Sequence, residues 1–233
     1  MEDLLGLLDF GPVFENGDRI LEGFWGTIRL ALMSALLSMV IGTIAVSFRV
    51  APIPLLRVLG TVYVNVVRNT PLTLVLLLCS LGISTTLQLK FSDQNTVDAY
   101  WWAIIGLSFY TGAFVCEVLR SGINTVPLGQ AEAARSIGLT FTQSLRMIIL
   151  PQAFRTVIAP LGSTLIAMIK NTTVVMAAGY AEAALAMYEL FDDPNNQPPA
   201  IPLFLTIAAG FMVLTLPTGF FFGWLAKRMA VAR

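Results

Sequence analysis

The sequence contains no histidine and only two cysteines among its 233 residues. These two residue types supply most zinc and haem ligands, so a site for either has almost no candidate side chains. Cys79 and Cys116 both lie in apolar runs, which favours two small buried side chains over a disulfide or a metal pair. The glycine-rich phosphate-binding motif of nucleotide hydrolases is also missing, and no nucleophile, base and acid cluster at a catalytic spacing. We therefore predict a protein that is not an enzyme and holds no metal or cofactor itself.

Charged residues are also few. Charged residues make up 12% of the chain and hydrophobic residues 56%, with a mean hydropathy of +0.78, whereas soluble domains carry about a quarter charged residues. The 14 basic and 14 acidic residues cancel, so no net basic field indicates nucleic acid as a partner. The N-terminus, with Glu2 and Asp3, lacks the basic region that opens a signal peptide, and no cleavage is expected. The composition predicts an integral membrane protein.

Five apolar runs are long enough to cross a membrane, because a helix needs roughly 20 apolar residues to span a hydrocarbon core of about 30 Å. The fold expected is all-α, with about five transmembrane helices in a single domain, 1–233, and an extracytoplasmic N-terminal segment, 1–24. The five runs are 30–48, 72–89, 99–116, 156–180 and 201–226.

The basic residues orient these runs, because cytoplasmic segments collect lysine and arginine. With the N-terminus outside and the C-terminus inside, the outer segments keep Arg19 and Lys90, and Arg29 stands at the outer edge of the first run. We therefore predict a multi-pass protein of a prokaryotic cytoplasmic membrane, surrounded by lipid. The residues assigned to the inner side are Arg49, Arg57, Arg120, Arg135, Arg146, Arg155, Lys227, Arg228 and Arg233.

A polar amphipathic loop separates the third and fourth runs and is predicted to face the cytoplasm. A first short helix opens at residues 127–130 and ends near Gly138, a residue suited to the end of a helix. Thr140 followed by Gln143 fits a capping box, and the second helix is expected to be interrupted at Pro151. The alternative is a loop that merely lies on lipid headgroups, helped by its arginines.

Two polar tetrads interrupt apolar sequence at similar positions of the second and fourth runs. They are RNTP at 68–71 and KNTT at 170–173. A cation costs about 3 kcal/mol or more at the bilayer centre unless it meets water or a partner. Broken helices of this kind are tolerated where they line a cavity, and such breaks often build substrate sites. Alternatively, Arg68 reaches the inner interface and Lys170 the outer one.

One acidic and one basic residue form an i, i+3 pair at the cytoplasmic end of the third run. They are Glu117 and Arg120, and such a pair neutralises itself near the interface. We interpret the pair as structural rather than catalytic.

These motifs, in this order, resemble the permease subunits of polar amino acid importers of the ATP-binding-cassette (ABC) class. The resemblance covers roughly residues 60–180 and includes both tetrads and the pattern FxxxAFxxExxRSGI at 109–123. The polar loop, 128–151, is similar to the EAA coupling loop of that family. Its matching residues are Glu132, Ala133, Ala134, Gly138, Ile148, Leu150 and Pro151.

The resemblance implies the type I ABC importer fold and a set of partners. In the family, two permeases sit on two ATPase subunits, which bind ATP and Mg, and an extracytoplasmic binding protein delivers the amino acid. For the second permease we expect a homologue rather than a copy. The resemblance makes Glu132 a polar contact and Gly138 a bend, although Glu132 also suits a carboxylate at the start of a helix. The expected coupling residues are Ala131, Glu132, Ala133, Ala134, Arg135 and Gly138.

The resemblance also supplies an expected solute pathway and substrate. Many members have RGTP and KDTS, whereas Asn69 and Asn171 stand here in place of glycine and aspartate. Without that aspartate, Arg68 and Lys170 are expected to be uncompensated cations, which suits glutamate first and aspartate second. The alternatives are glutamine or another polar amino acid, or an ion-coupled secondary transporter. The expected pathway residues are Arg68, Asn69, Thr70, Lys170, Asn171 and Thr172.

Overall fold

A computed structural model describes residues 8–194 and 197–229, and within these residues every regular element is a helix. Glu2, Asp3 and Arg233, three of the charged residues used above, lie outside them. Three non-α segments join the α-helices: the π-helical turns Leu78–Thr86 and Leu145–Ile149, and the 3₁₀ helix Thr172–Ala178. The α-helices are α1 (Gly11–Glu15), α2 (Gly17–Val50), α3 (Pro54–Arg68), α4 (Leu72–Leu77), α5 (Asn95–Asn124), α6 (Leu128–Ser136), α7 (Phe141–Ser144), α8 (Leu150–Asn171), α9 (Ala183–Phe191) and α10 (Ala200–Met229).

Four helical runs in the described residues are long and apolar enough to cross a membrane. They are α2, α5, the continuous run Phe141–Ala178 and α10. A fifth crossing is present if α3 and the helix Leu72–Thr86, bent by 105° at a short break, count as one broken span. The prediction of an all-α protein with about five spans is confirmed in this form. The first span is longer than predicted, because α2 begins at Gly17 and runs for 34 residues.

The bend between α3 and α4 falls on the RNTP tetrad, as predicted. Pro71 lacks an N–H and disfavours a helical conformation at the preceding Thr70, so the ladder cannot continue through this point. The Asn69 side chain returns to the helix and donates to the carbonyl of Asn65 at 2.7 Å. The second span differs from the predicted run 72–89, because the helix Leu72–Thr86 forms a crossing only together with α3, as a broken span.

The KNTT tetrad tightens its helix and does not break it, so the predicted interruption is wrong. The backbone passes from α8 into the 3₁₀ helix after Asn171 and ends at Gly179, where φ is +79°. The hydroxyls of Thr172 and Thr173 donate to the carbonyls of Ile169 and Lys170 at 2.7 and 2.8 Å. These bonds satisfy carbonyls at the transition to the tighter helix.

The chain divides into two compact units. The first unit is Met1–Leu36, Thr70–Ser108 and Ala167–Leu216. It contains a core in which residues of α1, α2, α9 and α10 pack together, and α4 packs on the 3₁₀ helix. The core residues are Val13, Ile20, Leu190, Leu203 and Ile207.

The second unit is Leu37–Asn69, Phe109–Ile166 and Pro217–Arg233. Buried residues of α2, α3 and α5 form its main core. A Cβ on Gly112 would lie 2.7 Å from Ile41 Cγ2, so α2 and α5 approach too closely here for any residue larger than glycine. This packing brings the charged ends of α2 and α3 beside α5. The core residues are Ala45, Val46, Val64, Val67, Ala113 and Cys116.

Candidate functional site

The polar loop forms a helical hairpin, hereafter the coupling hairpin, residues 128–149. Its first arm, α6, follows Pro127 and ends at Ser136. Gly138 adopts φ +84°, the left-handed conformation that glycine accepts without strain. The N–H groups of Gly138 and Leu139 donate to the carbonyls of Arg135 and Ala134 at 3.0 and 3.1 Å, which closes the helix end.

The second arm starts with the predicted capping box. The Gln143 N–H donates to Thr140 Oγ1 at 3.3 Å, and the Thr140 N–H donates to Gln143 Oε1 at 2.9 Å. The predicted interruption at Pro151 is wrong, because the helix continues into α8. The preceding turn is π-helical, with the Leu150 N–H bonded to the Leu145 carbonyl. This wider turn moves the earlier carbonyls away from the proline ring and so accommodates Pro151.

The two arms pack on each other and expose a mixed surface. Ala134 is buried at 1% exposure, while Glu132, Ala133 and Arg135 are exposed. Four large apolar side chains are also exposed, a feature that the sequence reasoning did not single out although apolar residues in a polar loop signal it. Such a surface can bind a complementary cleft through apolar burial bordered by charge. The four residues are Leu128, Ile137, Phe141 and Met147.

The six predicted pathway residues are divided between the two units. Arg68 and Asn69 belong to the second unit, and the other four belong to the first. Within the first unit, α4, which follows the RNTP tetrad, packs on the 3₁₀ helix that begins with the two threonines of the KNTT tetrad. Thr172 is buried, whereas Lys170 is exposed and forms no ion pair among the described residues.

Glu117 lies at the centre of a charge cluster that is larger than the predicted pair. Its carboxylate forms an ion pair with Arg49 Nη1 and lies 3.7 Å from Arg68 Nη1 and 4.0 Å from Arg120 Nε. The guanidinium of Arg68 also lies 5.5 Å from the centre of the Phe114 ring. The expectation that Arg68 is uncompensated is therefore wrong. Arg49 escaped notice because only the packing of α2 on α5 brings it to Glu117.

The sequence reasoning also missed the buried carboxyl of Glu182. It is 0% exposed and caps α9 by accepting the N–H groups of Ala184 and Leu185 at 3.0 and 2.9 Å. Burial raises the pKa of Glu182 to about 7, although these hydrogen bonds and one from Thr27 oppose the rise. No sequence signal separates this glutamate from an exposed one, because its burial depends on the packing of α9 on α2.

Comparisons with known proteins place this geometry in a family. Residues 38–231 match the family model described as "Binding-protein-dependent transport system inner membrane component". The chain is 49% identical over 222 residues to the glutamate transport system permease protein GluC of Corynebacterium efficiens, covering 93% of this chain and 96% of that one. It is 47% identical to the protein of the same name from Corynebacterium glutamicum, with the same coverage.

The fold is that of a solved transporter. The crystal structure of an amino acid ABC transporter with histidines contains a chain that superposes with a TM-score of 0.84 at 25% identity, covering 94% of this chain and 98% of that one. The described helices therefore form the type I ABC importer permease fold, in a multi-pass membrane protein. Family members work with an ATPase and a binding protein. The chain belongs to the family of binding-protein-dependent transport system inner membrane components, as a transport subunit and not an enzyme.

Proposed function

We propose that this chain is the transmembrane subunit of an ATP-driven importer that carries an acidic amino acid, glutamate first and aspartate second, by alternating access. The proposed substrate is supported by the sequence identity of 49% and 47% to two glutamate transport permeases along almost the whole chain. The argument from an uncompensated Arg68 no longer contributes, since Glu117 lies beside that residue. Lys170 is still an exposed cation, in the last turn of α8.

The coupling hairpin is the proposed docking element for the ATPase. Glu132 and Arg135 offer charged contacts, and the apolar side chains around them offer area to bury in a cleft. The closed helix end at Gly138 and the capping box at Thr140 make the hairpin rigid enough to transmit motion. The ATP and Mg belong to the partner in this proposal.

The proposed assembly contains two ATPase subunits, a second permease that is a homologue rather than a copy, and an extracytoplasmic binding protein. The N-terminus is placed outside and the C-terminus inside the cytoplasmic membrane of a prokaryote. The charges at the C-terminal end of α10 support this orientation, because Lys227 and Arg228 lie in its last turn and basic residues collect on the cytoplasmic side.

The proposed solute pathway runs past the two tetrads. Thr70 and Thr172 belong to the unit in which α4 packs on the 3₁₀ helix, a contact that supports a shared role. Asn171 precedes the tightened turns, where its amide is half-buried. Arg68 and Asn69 mark the 105° bend of the broken span.

The test is uptake of labelled glutamate by proteoliposomes that contain the purified transporter, with its binding protein outside and ATP inside. We expect uptake that needs ATP, that stops when the phosphate-binding lysine of the ATPase partner is replaced, and that persists after ion gradients are collapsed. Uptake that follows an ion gradient without ATP would instead establish an ion-coupled carrier. Uptake of glutamine in preference to glutamate would replace the substrate and leave the mechanism standing.

A further inference from the structure

A cavity of about 480 Å³ with a mixed polar and apolar lining lies in the first unit, between the π-helical turns, the start of α5 and the end of the 3₁₀ helix. This volume falls in the range of about 300–1,000 Å³ that small-molecule sites occupy. None of the six predicted pathway residues is among those that line it. The polar lining consists mainly of Ser80, Ser84, Lys90, Asn95, Asp98 and Trp102.

Hydrogen bonds from two directions hold the acidic wall of the cavity in place. Asp98 is 6% exposed, and its Oδ2 accepts the hydroxyl of Ser84 at 2.5 Å. Its Oδ1 accepts the N–H of Phe91 at 2.7 Å. Trp102 Nε1 donates to the carbonyl of Leu89 at 3.1 Å. The contacts of Phe91 and Leu89 fix the backbone on either side of Lys90, so the lysine is held at the cavity.

The groups in the wall have unused bonding capacity. An ionised carboxylate offers about four acceptor positions, and the two bonds to Asp98 leave room for a cation. Lys90 forms no ion pair or hydrogen bond with any described residue. Ser80 Oγ is buried without a hydrogen-bond partner in the described part of the chain. Buried hydroxyl groups in folded proteins are almost always hydrogen-bonded, so this one marks a polar wall that is not fully satisfied.

A cation and an anion acceptor that do not pair with each other are complementary to a ligand with separated charges of opposite sign. We propose that this cavity binds the main-chain groups of a free α-amino acid, with Lys90 taking a carboxylate and Asp98 the α-ammonium. The inference rests on the proposed function, which supplies an amino acid as the solute. It adds a binding site in this subunit. This site binds the groups that all amino acids share, and other parts of the transporter select the side chain.

The test measures direct binding of labelled glutamate to the purified permease–ATPase complex in lipid nanodiscs, without the binding protein and without ATP. Loss of a charge-assisted contact should weaken binding, so Lys90→Met should raise the dissociation constant for glutamate by at least about tenfold at one site per copy of this chain. Lys90→Arg keeps the charge and should retain the site. Asp93→Asn is the matched control, because Asp93 is exposed on the same loop and does not line the cavity.

Competing ligands test the Asp98 wall without altering the fold. Glutarate lacks the α-ammonium and 4-aminobutyrate lacks the α-carboxylate, so neither should displace glutamate at millimolar concentration. Glutamine keeps both groups and should displace it.

Three results would overturn the inference: no glutamate bound by the wild-type complex at millimolar concentration, Lys90→Met binding with unchanged affinity and number of sites, or an equal loss in Asp93→Asn. ATP-dependent uptake by the same wild-type preparation separates these results from a failure of the proposed function. An active importer whose binding ignores Lys90 lacks the proposed site, whereas absence of uptake refutes the function itself.

Discussion

Glu117 is a single carboxylate with three guanidinium groups nearby. Because it is their shared counterion, its charge should matter more to the stability of the fold than its shape. Arg49, its closest partner, has a side chain that is only 10% exposed. Glu117→Gln keeps the shape and removes the charge, which leaves Arg49 without its counterion. Breaking a largely buried ion pair from one side costs about 3–5 kcal/mol. We therefore expect a clearly lower unfolding temperature of the purified complex, followed by tryptophan fluorescence.

Glu132→Gln is the matched control for this change, because Glu132 is exposed and forms no ion pair among the described residues. It should unfold at the wild-type temperature. If Glu117→Gln does so as well, the cluster does not stabilise the fold.

Glu182 gives the fold a dependence on pH. Its pKa in the folded protein, about 7, lies above the ordinary value of 4.5. The folded state therefore binds this proton more tightly than the unfolded state. Its contribution to stability is complete below about pH 4.5 and is lost as the pH rises through about 7, by up to about 1.4 kcal/mol per pH unit.

The expected observation is a fall in the unfolding temperature of the wild-type protein between these two pH values that Glu182→Gln does not share. The glutamine carbonyl still accepts one of the two N–H groups at the start of α9, so the variant keeps part of the helix cap. A parallel fall in both proteins would assign the pH dependence to other groups.

At the scale of elements, the chemistry of single residues predicted where helices begin and end better than it predicted where a helix continues. The capping box at Thr140 and the break at Pro71 follow from the side chain and backbone of one or two residues, and both are present. The continuation through Pro151 depends on a π-helical turn, which the sequence does not signal. The arginines around Glu117 depend on the packing of α2, α3 and α5 against one another. Only tertiary structure carries that information.

The coupling hairpin depends on the left-handed residue that joins its arms. Gly138→Val places a β-branched side chain at φ +84°, which costs at least about 1–2 kcal/mol and opens the end of α6. We expect membrane insertion to continue and uptake to fall several-fold, while the ATPase subunits still hydrolyse ATP. The measurement compares transported glutamate with ATP hydrolysed in the same proteoliposomes.

Two controls isolate the backbone conformation. Gly138→Asn should retain most uptake, because asparagine tolerates the left-handed region. Gly129→Ala, inside α6, meets no atom within 4 Å and should behave as wild type. Full uptake by Gly138→Val would show that a rigid joint is not needed for coupling.

At the scale of the whole molecule, the orientation of the chain in the membrane decides whether the coupling hairpin meets ATP. Ser136, at the end of α6, and Asp93, before α5, are both exposed, and the proposed topology places them on opposite sides of the membrane. The native Cys79 and Cys116 are buried, so a cysteine introduced at either exposed position should dominate labelling.

With a membrane-impermeant maleimide, Asp93→Cys should be labelled in intact cells. Ser136→Cys should be labelled only in inside-out vesicles washed free of the ATPase subunits. A variant with both native cysteines replaced by alanine gives the background. The opposite labelling pattern would place the hairpin outside the cell, where no ATPase could drive it. The arginines of the hairpin would then lie on the outer side, against the usual excess of basic residues in cytoplasmic segments.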